Sequence, residues 1–499
     1  MINTDLAQLR AIKDFPSLVE YLRDNLDWQF ESDDVEDLTF EYQPEELGLD
    51  ARSASKIRGQ IKQLRPFYDN QPWGIFYINF DAKQLPVGAL RGVLRGLVTK
   101  KRASANPSGL ATWRLENLLF ICTSRDFQNF NFAYFRGEQT SRAVLSMFGW
   151  HQGDTHLRTL AEYNLPALRF PDDAADVEGW LSQWRKAFDV EAVTDKFFGD
   201  YKRVFEAVEA EVKKSVKQNE QARLYTQRLF NRLMFLYFIQ RKGWLEFEGD
   251  KNYLRALFDA AEKKGEDFLK ERLYWLFFYG MSNVGESREA HSQESLCERR
   301  GLVPYLNGGL FDLEDESDER GAVEISNNAF RRILDLFERY NFTVEESTPL
   351  DVQVAVDPEM LGKVFEELVT GRHESGSYYT PRQIVSFMCR EALKHYLAGF
   401  EPNSEAVARF VDEGDAASLS DPENVLEGLK KVRVCDPACG SGAYLLGMMQ
   451  ELVRLRGRLF VAQRIGDESA YKIKRSIIEN NLYGVDKDPF AVQIACAYG

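Results

Sequence analysis

Residues 434–442 read Val434-Cys435-Asp436-Pro437-Ala438-Cys439-Gly440-Ser441-Gly442, and Ala443-Tyr444-Leu445-Leu446-Gly447 follow. An acid ends a short apolar run, small turn-forming residues come next, and an apolar stretch begins. Working outward, Val432 to Cys435 reads as a strand, Tyr444 to Arg458 as a helix, Ala470 to Asn480 as a second helix and Leu482 to Val485 as a second strand. That is the β-α-β order of a parallel sheet. A glycine-rich turn at the carboxyl end of a parallel strand lets the backbone approach a ligand, and the next helix offers unpaired N–H groups. Gly440 and Gly442 supply the turn. Asp436 either accepts hydrogen bonds from a ligand amine or orders the loop. Asp486, at the end of the next strand, is placed to bind the two hydroxyls of a ribose. Together they point to an adenosine-containing cofactor. A dinucleotide-binding dehydrogenase is disfavoured, because that fold wants G-x-G-x-x-G and Gly442 is followed by Ala443-Tyr444-Leu445.

The full string is more specific than its glycines. D-P-A-C-G-S-G closely resembles the first motif of the adenine-specific DNA methyltransferases, whose loop holds the methionine part of S-adenosylmethionine. Gly484-Val485-Asp486-Lys487-Asp488-Pro489 resembles their second motif, with Asp486 as the ribose ligand. Upstream, Ser375-Gly376-Ser377-Tyr378-Tyr379-Thr380-Pro381-Arg382-Gln383-Ile384-Val385 resembles the motif that precedes a helix and contacts the methionine end through Tyr379 and Thr380. Thr380-Pro381 alone reads equally well as a plain capped helix start. The order of the three motifs is that of the gamma-class amino-methyltransferases. The resemblance implies a cofactor site of Tyr379, Thr380, Pro381, Asp436, Pro437, Ala438, Gly440, Ser441, Gly442, Asp486 and Asp488.

Trp73 to Arg102, Leu229 to Leu245 and Pro304 to Phe311 resemble the large methyltransferases of type IIG restriction-modification and related phage-defence systems. The expected protein is therefore α/β, with an N-terminal α/β module at 1–175, a central helical domain at 176–350, and the N-terminal part of an incomplete Rossmann-like methyltransferase domain at 351–499. Its expected partner is double-stranded DNA. A noncatalytic DNA-binding or scaffold subunit that keeps the cofactor pocket as a sensor is the alternative.

One departure bears on chemistry. The amine of adenine delocalises its lone pair into the ring, and the family frees it with an N-P-P-Y or D-P-P-Y loop beside a flipped base. No such string occurs among the 499 residues. Asn106-Pro107, followed by Ser108-Gly109, reads as a turn. No catalytic residue is assigned. Two arrangements fit: a piece of a longer enzyme, or a split half whose catalytic loop comes from a second polypeptide. Either leaves a parallel sheet with exposed apolar edges that a partner would cover.

The remaining pattern supports several cores. The length exceeds what one core supports at roughly 100 to 200 residues per domain. Trp73 to Phe80, Leu118 to Cys122 and Asn131 to Phe135 read as strands, Pro86 to Lys101 as a basic amphipathic helix, Glu178 to Phe198 and Tyr201 to Gln240 as helical throughout, and Gly280 to Arg300 as an exposed loop. The net charge of -15 argues against a globally basic DNA binder, but local clusters such as Arg91, Arg95, Lys100, Lys101 and Arg102 decide nucleic-acid contact. No export signal and no span of about 18 apolar residues is visible. The cytoplasm is the expected location. Six cysteines without a C-x-x-C pair argue against a disulfide framework or structural zinc.

Asp81-Ala82-Lys83 has the local form of an acid-x-Lys nuclease element, which would bring in Mg²⁺ only if a nuclease activity exists. Without an upstream acid on a strand, Asp81 and Lys83 read as surface residues. His151 and His156 beside Asp154, and His373 alone, read as solvated histidines. Cys439 reads as a small apolar residue of the loop.

Overall fold

In a computed structural model of the chain the described residues are 7–32, 34–69, 71–98, 117–136, 144–154, 157, 160–282, 298–301, 303–304, 309–340, 351–353, 380, 382–463, 469–487, 491–492 and 495–496. They fall into two compact units. Met1–Glu206 with Asn328–Asp357 forms one, and Ala207–Asn327 with Pro358–Gly499 the other. The protein mixes α and β throughout.

The first unit is built on a seven-stranded sheet in sequential order: β1 Thr39–Tyr42, β2 Ile61–Leu64, β3 Trp73–Phe80, β4 Asn117–Ser124, β5 Asn129–Arg136, β6 Val144–His151 and β7 Asp351–Gln353. The β3–β4 and β6–β7 pairs are parallel and the rest antiparallel. Helix α1 is Phe15–Leu26, and the Asp14 carboxylate caps it by accepting the Ser17 N–H at 2.9 Å. Helix α2, Val87–Val98, carries Leu90, Val93, Leu94 and Leu97 at three- and four-residue spacing. That stripe packs with Phe76, Ile78, Phe120 and Cys122 of β3 and β4 in one buried cluster. The parallel β3–β4 pair with α2 between is the crossover such pairing requires. Trp28, Trp73, Trp180 and Trp184 form a second buried cluster, Trp28 stacking on Trp184 at 5.1 Å.

Three of these strands are where the sequence pattern puts them, and four are additions. β1 and β2 span four residues each, too short for alternation to stand out, and β7 joins from more than 190 residues away. The long helical stretch also divides. α3 is Val177–Lys186, α4 Val190–Ser215 and α5 Asn219–Arg241. The polar Lys217-Gln218 run interrupts the last two, with Gln218 extended at φ -85°. The expected loop from Gly280 starts inside a helical turn, Phe277–Met281, and residues 283–297 lie outside the described set.

In the second unit α5 is followed by α6, Tyr253–Lys264. The two stretches linked above by resemblance meet here. Arg232 of α5 is buried, pairs with buried Asp318 at 2.8 Å, and donates to the carbonyls of Leu310 and Asp312. A charge so deep is tolerated because each guanidinium nitrogen finds an acceptor. The remaining elements are α7 Arg382–Leu397, α8 Ser404–Glu413, α9 Pro422–Lys431, β8 Val434–Asp436, α10 Ala443–Gln463, α11 Ala470–Asn480 and β9 Leu482–Gly484. Their core joins Val385, Cys389, Leu393 and Leu397 of α7 to Met448, Leu452, Leu455 and Leu459 of α10. Leu452, Leu455 and Leu459 are fully buried, each worth about 1.5–3 kcal/mol of apolar transfer. No described helix is long and apolar enough to cross a membrane.

Candidate functional site

β8 and β9 pair in parallel, with Val434 opposite Leu482, Cys435 opposite Tyr483 and Asp436 opposite Gly484. Their common start is tied by Asn481, which is fully buried. Its backbone carbonyl accepts the Val434 N–H at 2.7 Å, and its side chain donates to the carbonyls of Lys430 and Val432 while accepting from Arg456 at 3.0 Å. Sequence reasoning missed Asn481, since a polar residue after a helix usually reads as an exposed cap.

At the carboxyl ends the strands release a loop held almost wholly by its own backbone. Val485 N–H donates to the Asp436 carbonyl at 2.9 Å, Cys439 N–H to the Val485 carbonyl at 3.0 Å, and Gly442 N–H to the Cys439 carbonyl at 2.8 Å. Gly440 and Gly442 sit at φ +52° and +92°, where a side chain is strained. The Gly440 N–H donates to Asp486 Oδ2 at 2.8 Å. The two acids of the sequence motifs thus flank one turn, and Asp486 grips it directly.

Asp436 is different. Its Oδ1 accepts the Ala438 N–H at 3.1 Å, whereas Oδ2 is buried and has no hydrogen-bond partner among the described residues. A buried carboxylate oxygen left unpaired is costly and asks for a donor. Ser441 is buried, Pro437 and Ala438 are exposed, and α10 starts at Ala443 directly after the turn. Cys439 is also buried. Burial pushes its thiol up, and the carboxylates of Asp436 and Asp486 add to this, so it is held as the neutral small residue its position suggested.

Thr380 is half-buried just ahead of α7. Tyr379, Pro381 and Asp488 of the predicted site lie outside the described residues, as do Asn106-Pro107, His156 and His373. Asp81 follows β3 and pairs with Arg125 at 3.5 Å, both half exposed. His151 Nδ1 accepts the Gly153 N–H within a turn. No group of three acids, histidines or cysteines suited to a metal occurs among the described residues.

Residues 414–497 match the family described as MmeI, DNA-methyltransferase domain, a span that contains the loop, α10, α11 and both strands. The chain is similar to restriction-modification methyltransferases. A putative type II restriction enzyme and methyltransferase of Methanocaldococcus jannaschii is 29% identical over 288 residues, 54% of this chain and 24% of that protein. The adenine-specific methyltransferase PglX of Streptomyces coelicolor is 35% identical over 68 residues, 14% of this chain and 5% of that protein. The type IIL restriction-modification enzyme MmeI, solved in complex with DNA, aligns with a TM-score of 0.37 at 16% identity over 62% of this chain and 35% of that one. The chain spans about a quarter or less of the length of these two curated relatives.

Proposed function

We propose that the chain is part of a site-specific DNA methyltransferase that moves a methyl group from S-adenosylmethionine to the exocyclic amine of adenine in a restriction-modification or phage-defence system. In this reading residues 351–499, apart from β7 in the sheet of the first unit, form the first part of the methyltransferase domain, behind a helical segment at 176–350 and an α/β module at 1–175. Tyr379, Thr380 and Pro381 hold one side of the cofactor, and Asp436, Pro437, Ala438, Gly440, Ser441, Gly442, Asp486 and Asp488 the other. The supporting observation is the buried, unpartnered Oδ2 of Asp436 beside a glycine turn already gripped by Asp486. A carboxylate so placed suits the ammonium of a methionine moiety, and a second acid at the neighbouring strand end suits a ribose.

The cofactor supplies an electrophilic methyl on a sulfonium. The chain's own residues bind and orient. Gly440 and Gly442 let the backbone come close, Asp436 anchors the amine, and Asp486 fixes the turn. The N-terminal end of α10 carries the positive end of the helix dipole. Freeing the adenine lone pair is assigned to no residue here, because no N-P-P-Y or D-P-P-Y string stands in the chain. Double-stranded DNA is the proposed substrate, and other subunits or a second polypeptide carrying that loop are proposed partners. Exposed Tyr483 and Val485 beside the two-stranded sheet are consistent with such a covering surface. Calorimetric titration of the full chain with S-adenosylhomocysteine tests the reading. Saturable uptake that Asp486→Ala weakens supports it, and no uptake by the folded wild type overturns it.

A further inference from the structure

The pocket proposed above has two sides on different helices. Thr380 precedes α7 and the glycine loop precedes α10. The two helices touch along their N-terminal halves. At Gly447 the approach is tight, since a Cβ built there would lie 2.4 Å from Val385 Cγ1. Cys389 Sγ lies 3.8 Å from the Tyr444 carbonyl, and the Tyr444 hydroxyl 3.2 Å from Met388 Sδ. One turn beyond Gly447 the buried Glu451 closes the seam. Its Oε1 accepts from Arg390 Nε at 2.8 Å and Ser386 Oγ at 3.3 Å, and its Oε2 accepts from Arg454 Nε at 2.8 Å. The carboxylate therefore bolts α7 to α10 by groups that reach it from both helices.

From this geometry, and resting on the cofactor reading above, we infer that the α7–α10 seam sets the spacing between the Thr380 segment and the glycine loop. Gly447, Val385 and Glu451 are then positioning residues for the cofactor although none belongs to its motifs. Ordinary carbon contact is about 3.5–4.0 Å. A methyl at 447 must therefore displace Val385 Cγ1 by about 1 Å, and because a valine in a helix is stiff at χ1 the strain passes to the helix spacing, next to where the two loops begin. Misplacement on that scale costs binding groups on the order of 10- to 100-fold.

The test compares the same substitution at two places on one helix in the full chain. Gly447→Ala and Gly457→Ala gain equal helix propensity, but nothing lies within 4 Å of a Cβ at 457. Titration with S-adenosylhomocysteine should show on the order of 10- to 100-fold weaker binding for Gly447→Ala and wild-type affinity for Gly457→Ala. Adding Val385→Ala to Gly447→Ala removes the colliding methyl and should restore most of the affinity, a recovery that general damage would not give. Should Gly447→Ala fail to fold, Glu451→Gln, which keeps the shape and loses the charge, replaces it and should bind several-fold less tightly. Wild-type affinity in folded Gly447→Ala, or in Glu451→Gln where that variant replaces it, overturns the inference, as does a folded double variant that regains none. Absence of uptake by the wild type would instead refute the cofactor reading beneath it.

Discussion

Replacing Asp436 by Asn should change stability and ligand affinity in opposite directions. The carboxylate satisfies one oxygen through the Ala438 N–H at 3.1 Å and buries the other without a hydrogen-bond partner among the described residues. An unsatisfied buried polar atom costs about 1–3 kcal/mol, and more when it is charged. The amide keeps the shape and the Ala438 contact and removes the charge. Removing it should recover up to about 1 kcal/mol, which raises Tm by about 2–4 °C for a unit of this size. The same change removes a charged acceptor from the ligand amine. Hydrogen bonds to charged groups contribute about 1.5–3 kcal/mol, so affinity should fall roughly 10- to 150-fold at 1.4 kcal/mol per decade. Thermal unfolding without ligand and calorimetric titration with S-adenosylhomocysteine read the two effects. A variant that loses stability and affinity together would show Asp436 to be a loop brace. Unchanged affinity with unchanged Tm would refute the reasoning altogether.

Two further outcomes follow from buried polar groups. Asn481→Ala strands the carbonyls of Lys430 and Val432 and removes one acceptor of Arg456, which keeps the Leu429 carbonyl, a loss of about 3–5 kcal/mol. Hydrogen exchange should then accelerate in peptides covering 428–436 and 477–485, and wild-type protection there would count against it. Glu401 is buried and accepts from the Ser420 hydroxyl and from the amides of Ser420, Asp421 and Asn403. The Ser420 hydroxyl leads in holding its carboxyl below the usual range. A folded value below the unfolded one stabilises the protein fully above about 4.3 and loses that contribution as pH falls through the folded value. Glu401→Gln should therefore be less stable at neutral pH and show a shallower loss in acid. Equal slopes for the two proteins would be the contrary result.

Where the sequence was legible, a single local signal decided the element. Trp73 to Phe80 is a β-branched and aromatic run, interrupted by Gly74 and Asn79, and forms β3 over that same span. Helix α11 covers Ala470 to Asn480 as read, with the Ser469 side chain accepting the Lys472 N–H at its start. The pair Asp436 and Asp486 was legible too, because both follow short apolar runs and so fall at strand ends. Elements fixed by distant partners were not. β1 and β2 exist because they pair with each other and with β3, and β7 because β6 offers an edge. The same holds in the site. The grip of Asp486 on Gly440 crosses 46 positions and the Glu451–Arg390 link crosses 61. No window of local sequence contains both ends of either bond.

The division of labour in the loop has an energetic consequence. Its turn is closed by backbone bonds from Cys439 and Gly442 and by the Asp486 carboxylate, all within the chain. The conformational entropy of ordering those residues, about 1–2 kcal/mol each for the backbone, is therefore met during folding and does not weaken binding. What folding leaves unmet is the electrostatic demand of one oxygen, Asp436 Oδ2. In the cofactor reading proposed above, the donor to that oxygen comes from the ligand rather than from movement of the loop. Selectivity then depends less on how well the glycine turn fits a ligand, since many would fit, than on whether the ligand carries a donor, preferably a cation, where that oxygen lies. In that reading the cost of an unpaired buried acceptor is the source of discrimination among ligands.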